Sequence, residues 1–175
     1  MKSIIQELKS VINIKMFSIK KSFIMLALIV MAFAQNSFSQ SNTKTQPVQL
    51  LNTYYNLKDA LVSSNPVLAA SSADELVKTI NGADLQIMND AEKAGLLKEA
   101  VAISQSKDIK LQREKFVTLS NNMFELAKKV KLSAEPIYQQ YCPMKKAIWL
   151  SNNKAIKNPY FGSAMLSCGS IKATL

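Results

Sequence analysis

No histidine occurs anywhere in the 175 residues. That absence removes imidazole acid–base chemistry, the Ser-His-Asp and Cys-His nucleophile arrangements, and histidine metal sites. Catalysis would have to run on carboxylates, lysine or cysteine alone. Glycine is nearly as scarce, at four residues, which leaves little material for tight turns and favours long helices. No phosphate-cradling glycine loop and no paired-carboxylate motif is present, so the chain does not read as an enzyme. Cysteine is missing before Cys142, which argues against a lipid-anchored lipoprotein.

What is present begins with positive charge. Lys and Arg total 22 against 12 Asp and Glu. The lysines are scattered, with one short cluster at Ala127 to Lys131. A nucleic-acid binder would carry a basic stripe with interleaved aromatics, and aromatics make up only 7%. Solvated, mildly basic helix faces account for these lysines, and no nucleic-acid partner is expected.

Residues 1–39 read as a secretory signal peptide, whose working start is Met16. Lys20 and Lys21 form its positive region. Phe23 to Ala34 is its apolar run, shorter than the roughly twenty residues that span a bilayer. Small residues follow at Ala32 and Ala34, and again at Ser37 and Ser39, with cleavage expected before Gln40. The expected product is periplasmic or secreted, with no membrane anchor after cleavage. Residues 40–46 then form a flexible lead-in to a single domain at 47–175, comprising helices at 47–133 and a tail at 134–175.

The hydrophobic pattern of 47–133 has a helical period. Leu50, Tyr54, Leu57 and Leu61 form one stripe, ended by Asn65-Pro66, which also starts the next helix as N-cap and first-turn proline. Ala69, Ala73, Leu76 and Ile80 form the second stripe, closed by a left-handed cap at Asn81-Gly82. A third helix is expected over Asp84 to Ser104 with Ile87, Ala91, Ala94, Leu97 and Val101 inward. The fourth carries Phe116, Leu119, Met123, Leu126 and Val130. Short connections make antiparallel neighbours. The fold class is thus mainly α, an up-and-down four-helix bundle with a small C-terminal β-hairpin and turn-rich tail. Tyr54, Met88 and Met123 read as core filler.

Past Leu132 the pattern changes. "PIYQQYCP" alternates and "AIWLS" is short and apolar, as in the two strands of a hairpin. The tail holds both cysteines, in Cys142-Pro143-Met144 and Met165-Leu166-Ser167-Cys168. Thiolate and thioether are soft ligands that select Cu(I) or Ag(I), so these four residues form a candidate metal site. Two cysteines in an exported domain also suit a disulfide, and a Cys142–Cys168 bridge would contribute roughly 3 kcal/mol by loop entropy, with Met144 and Met165 packed beneath it. Two unlinked buried thiols are the third possibility. Neither cysteine belongs to a CxxC motif, so thioredoxin-like redox chemistry is not indicated.

Around the four sulfurs, Tyr141 and Trp149 read as tail scaffold, with a lid over a soft cation as the other role for Trp149. Asn158, with Pro159, Tyr160, Phe161 and Gly162, reads as a tight turn that buries aromatics. Asp108, Gln112 and Arg113 read as a helix start followed by a surface or tail-facing polar contact.

"ISxSxDIxxQRExFxxLSxxM" from Ile103 to Met123, and "YCPM…WLS…IxNPYFGxxMLxCG" from Tyr141 to Gly169, resemble an exported bacterial family known as domain-of-unknown-function family 3347 (DUF3347). "LLNTYYNLKDALVSSNPVLAA" resembles its opening helix. The resemblance implies no assigned activity. It does imply company: similar domains occur alone behind a signal peptide, or attached to periplasmic adaptor proteins of copper/silver efflux pumps. A soft-metal role beside such an adaptor is therefore the expectation for Cys142, Met144, Met165 and Cys168, with a structural or protein-interaction domain locked by a disulfide as the alternative. The chain departs from the family pattern at "KKAI", where Lys145 and Lys146 set like charges near the proposed cation site.

Overall fold

Three of the four helical stripes face inward where the 3.6-residue period puts them. The computed structural model describes residues 42–84 and 86–175, with side chains from Gln46 onward. The leader expected at 1–39 lies outside the described residues. Among them, no helix is long and apolar enough to cross a membrane.

Helix α1 (Asn42–Val62) excludes Leu50, Tyr54, Leu57 and Leu61 from water. It reaches back beyond the expected start, and Pro47 lies inside it. A proline there forfeits one ladder hydrogen bond near the N-terminal end, where the ladder is least complete. Helix α2 (Pro66–Gly82) starts as expected: Asn65 is the N-cap, its side chain accepts from the Leu68 N–H at 3.0 Å, and Pro66 opens the first turn. Its end differs from expectation. The cap is Ala83 in extended conformation, not a left-handed Asn-Gly pair, and its N–H donates to Ile80 O at 3.2 Å.

Helix α3 (Asp90–Ser104) starts six residues later than the sequence pattern suggests. Asn89 and Glu92 form a reciprocal capping box, which satisfies two otherwise orphaned backbone donors and fixes the start. The inward residues are Leu96, Glu99, Ala100 and Ile103, whereas Ala91 and Ala94 are exposed. Alanine fits both faces of a helix, so a stripe built on alanines was free to be misphased. Helix α4 (Ile109–Lys129) buries Phe116, Leu119, Met123 and Leu126 as expected, and Val130 is its extended C-cap.

The four helices pack in chain order, joined by short connections. Tyr54, Met88 and Met123 are core residues. Tyr54 of α1 stacks on Phe116 of α4 with ring centroids 5.3 Å apart, which closes the bundle from first helix to last.

The tail contains the two expected strands, β1 (Tyr138–Cys142) and β2 (Ala147–Ser151), and a third, β3 (Ser170–Thr174). The sheet is antiparallel, in the order β2-β1-β3. The expected two-stranded hairpin is therefore the larger part of a three-stranded sheet. β2 packs against α4. Its outer edge is satisfied by two phenols: the Leu150 N–H donates to Tyr54 OH at 3.1 Å, and Tyr160 OH donates to Ile148 O. Tyr54 OH also pairs with Ser120 Oγ at 2.8 Å. Burial raises both phenols well above the ordinary tyrosine range, so both stay neutral.

Candidate functional site

Two loops meet at the end of the sheet. The first is the β1–β2 turn. Cys142 and Ala147 are the last register pair, leaving Pro143 to Lys146 as the connection. Lys146 takes φ +54° to complete it. The folded turn aims a backbone donor inward: the Lys145 N–H points at Cys142 Sγ, 3.4 Å away. Cys142 itself is fully buried.

The second loop is the long return from β2 to β3, organised around one fully buried side chain, Asn158. Its Nδ2 donates to Cys168 O at 2.7 Å and its Oδ1 accepts from the Tyr160 N–H at 2.8 Å. Its backbone N–H donates to Leu166 O at 2.8 Å, and its carbonyl accepts from the Gly162 N–H at 3.0 Å. One amide thus folds both halves of the loop onto each other. A short 3-10 turn (Gly162–Met165) lies between, and the Cys168 N–H donates to Met165 O at 3.1 Å.

Arg113 clamps this loop to the bundle. Its Nε donates to Pro159 O at 2.9 Å, and its Nη2 to Leu61 O at 3.0 Å and Ser64 Oγ at 2.8 Å. This is the tail-facing polar contact expected of it. Gly162 is confined by the same clamp. It has φ +57°, and a Cβ there would come within 2.6 Å of Arg113 Nη2 and 2.4 Å of Ser64 Oγ. Asp108 caps α4, accepting from the Lys110 N–H, and Gln112 is buried, donating to Ser106 O at 2.7 Å and Pro66 O at 2.9 Å.

The result is a pair of sulfurs. Cys142 Sγ and Cys168 Sγ, 26 residues apart in sequence, lie 3.9 Å from each other. Both are free thiols, and the separation is well beyond the roughly 2.04 Å of a disulfide bond. Burial, followed by the hydrogen bond and charge of Cys142, raises the Cys168 thiol above its ordinary pKa, while the Met144 backbone N–H pulls it down. The turn therefore offers the Lys145 amide to Cys142 Sγ.

The two methionines are placed differently from the cysteines. Met144 is 66% exposed and Met165 40% exposed. Neither is packed beneath a bridge, and of the four expected ligands the two thiols lie 3.9 Å apart. Among the described residues, no group of three or more Cys, Asp and Glu converges as a ready metal cage.

Trp149 is fully buried as the core of the tail, edge-on to Tyr160 with centroids 6.0 Å apart. It is therefore not a lid, and its indole N–H has no partner in the structure. Gly169 leaves room for it: a Cβ there would come within 2.8 Å of Trp149. Tyr141 is half-buried with Lys172 Nζ 5.5 Å from its ring centre. Tyr160 spans the gap between β2 and Phe116, whose ring centre is 5.9 Å away.

One property of the tail escapes a whole-chain charge count. Residues 50–135 hold 11 basic and 11 acidic side chains, whereas residues 136–175 hold five lysines and no acidic side chain. A count taken in windows would have found it.

Residues 50–135 match the family described as protein of unknown function (DUF3347). The chain belongs to the DUF3347 family over this span. The DUF3347 match takes in the four helices from Leu50 on and stops before β1, so the paired thiols lie beyond it. No curated protein and no solved structure matches the chain.

Proposed function

We propose that the tail is a non-enzymatic binding module for a soft monovalent metal ion, Cu(I) or Ag(I), with Cys142 and Cys168 as its anchoring ligands. The observation that carries this reading is the 3.9 Å separation of two unbonded thiols. With metal–sulfur bonds of about 2.3 Å, as in zinc thiolates, sulfurs at that distance subtend about 115° at a shared ion. That suits a three- or four-coordinate soft site. Met144 and Met165 belong to the same two loops and are exposed, so each is free to swing in as a further thioether ligand.

The local charges also support the reading. Two thiolates and one Cu(I) carry a net charge of minus one. The Lys145 amide at Cys142 Sγ favours that anion, and the same turn carries the positive charges of Lys145 and Lys146. We further propose that the protein is exported and works beside a heavy-metal efflux adaptor, as a chaperone or sensor.

A second reading rests on the same distance. If the thiols close by about 2 Å while an external thiol oxidant, such as another disulfide, takes up their two electrons and two protons, they form a disulfide, and the tail becomes a stapled interaction domain without metal. Anaerobic titration of the reduced full chain with Cu(I), against a chromophoric chelator, separates the two. The metal reading expects one equivalent bound, lost in Cys142→Ser and weakened in Met165→Leu. Absence of uptake by the reduced wild type, with a single disulfide in protein isolated after export, would favour the staple.

A further inference from the structure

Positive charge is uncompensated in the tail. Every salt bridge among the described residues lies within 50–135: Lys58–Asp59, Lys78–Asp74, Lys128–Glu125 and Lys129–Glu92. The five lysines of 136–175 have no acidic side chain in their own segment and no ion pair among the described residues. Lys145, Lys146, Lys157 and Lys172 are exposed, and they flank the thiol pair in the fold. Lys145 and Lys146 lie in the turn after Cys142, Lys157 precedes the Asn158 that holds Cys168, and Lys172 is on β3, which pairs with β1. The same two loops carry the exposed apolar side chains Met144, Met165 and Leu166.

We propose that this face docks an acidic protein surface, with the lysines as rim and the methionines as centre. Exposed methionine is the residue type that adapts to a partner's shape, and a one-signed rim around a neutral centre steers and orients an oppositely charged partner. A lone small anion is a poorer occupant, because the lysines come from three separate segments, the β1–β2 turn, the β2–β3 return and β3. A bilayer is also a poorer occupant. The tyrosines that would anchor at a headgroup layer are engaged, Tyr141 under Lys172 and Tyr138 beside Lys154, with Nζ 5.5 Å and 5.9 Å from the ring centres. The opposite edge of the sheet is closed by Tyr54 and Tyr160, so addition of a partner strand is confined to the β3 side.

The inference rests on the metal reading for its purpose, since such docking sets a donor or acceptor against the thiol pair. The docking itself is measured without metal, so either can fail alone. The probes are two synthetic peptides sharing a Met-containing centre, one flanked by Asp and Glu and the other by Asn and Gln. Binding to the full reduced chain is followed by fluorescence anisotropy. The expected result is at least about tenfold tighter binding of the acidic peptide at low salt, falling steeply as the Debye length shrinks from about 30 Å to about 8 Å. Lys145→Glu with Lys146→Glu and Lys172→Glu should abolish the preference, and Lys128→Glu with Lys129→Glu should leave it. Equal binding of the two peptides would overturn the proposal. So would equal losses from both variants, or binding confined to vesicles containing phosphatidylserine.

Discussion

The bundle and the tail solve different problems with different materials. Helices α1 to α4 are held by repeating aliphatic and aromatic stripes, and their charges balance within the segment. The tail has three short strands and few buried aliphatics, and single polar side chains fix its shape. Asn158 makes side-chain bonds at 2.7 Å and 2.8 Å, and Arg113 three bonds between 2.8 Å and 3.0 Å. A core of stripes tolerates substitution, because burial is spread over many residues. A loop organised by one amide does not. The tail is accordingly where two sulfurs distant in sequence are brought together, and the bundle is the platform that holds them.

The change that should breach the boundary between the two regions most severely is Phe116→Ala. Its ring lies between Tyr54 and Tyr160, so its loss should cost about 3–5 kcal/mol. Thermal unfolding followed at Trp149 and by far-ultraviolet circular dichroism should shift together. Unfolding of the tail alone would show that the aromatic contact does not couple the regions.

Acidity is the next lever, and it acts on the tail alone. The Cys168 thiol is raised by burial and by Cys142, so metal binding must displace its proton. Apparent Cu(I) affinity should therefore fall as pH falls, by about tenfold per unit for each proton displaced. Bundle helicity over the same range should stay constant. An affinity independent of pH would mean that the thiols are not the ligands.

Asn158→Ala tests the loop. Cu(I) affinity should drop about 10–100-fold, as for loss of a residue that orients a ligand, while the Cα resonances of α1 to α4 stay in place. Asn158→Asp keeps one acceptor and loses the donor to Cys168 O, so it should be impaired nearly as much. If both variants bind metal normally, the loop is not what positions Cys168.

Tyr54→Phe should have the smallest effect, about 1–3 kcal/mol, the cost of leaving the Leu150 N–H and Ser120 without their shared partner. Hydrogen exchange at Leu150 should accelerate more than exchange at the α2–α3 contact. Uniform acceleration would mean that the phenol stabilises the whole chain, not the β2 edge.

Most of the helical architecture was legible because large apolar residues marked it. Leu50, Tyr54, Leu57 and Leu61, or Phe116, Leu119, Met123 and Leu126, leave one face of a helix to choose. α3 was harder, since Ala91 and Ala94 carry no preference and the deciding signal was the Asn89–Glu92 capping box. β1 and β2 showed their alternation, whereas β3 is mostly exposed and holds a single large apolar residue, Ile171, so periodicity could not mark it. In the candidate site, soft residue types singled out four sulfurs, but the approach of the two thiols depends on Asn158, a contact no local pattern encodes. Trp149 followed its hydrophobicity into the core. The acid-free tail was in plain view and hidden by averaging over the whole chain.

The closed edge of β2 limits extension of the sheet. A sheet that can be extended at both sides can polymerise without end, whereas this one offers only the outer side of β3. Two copies meeting there by a two-fold axis would form one continuous sheet with a capped strand at each extremity, and growth would stop at two. Two phenols, one from the first helix and one from the last loop, thereby leave the sheet a single edge at which a strand can be added.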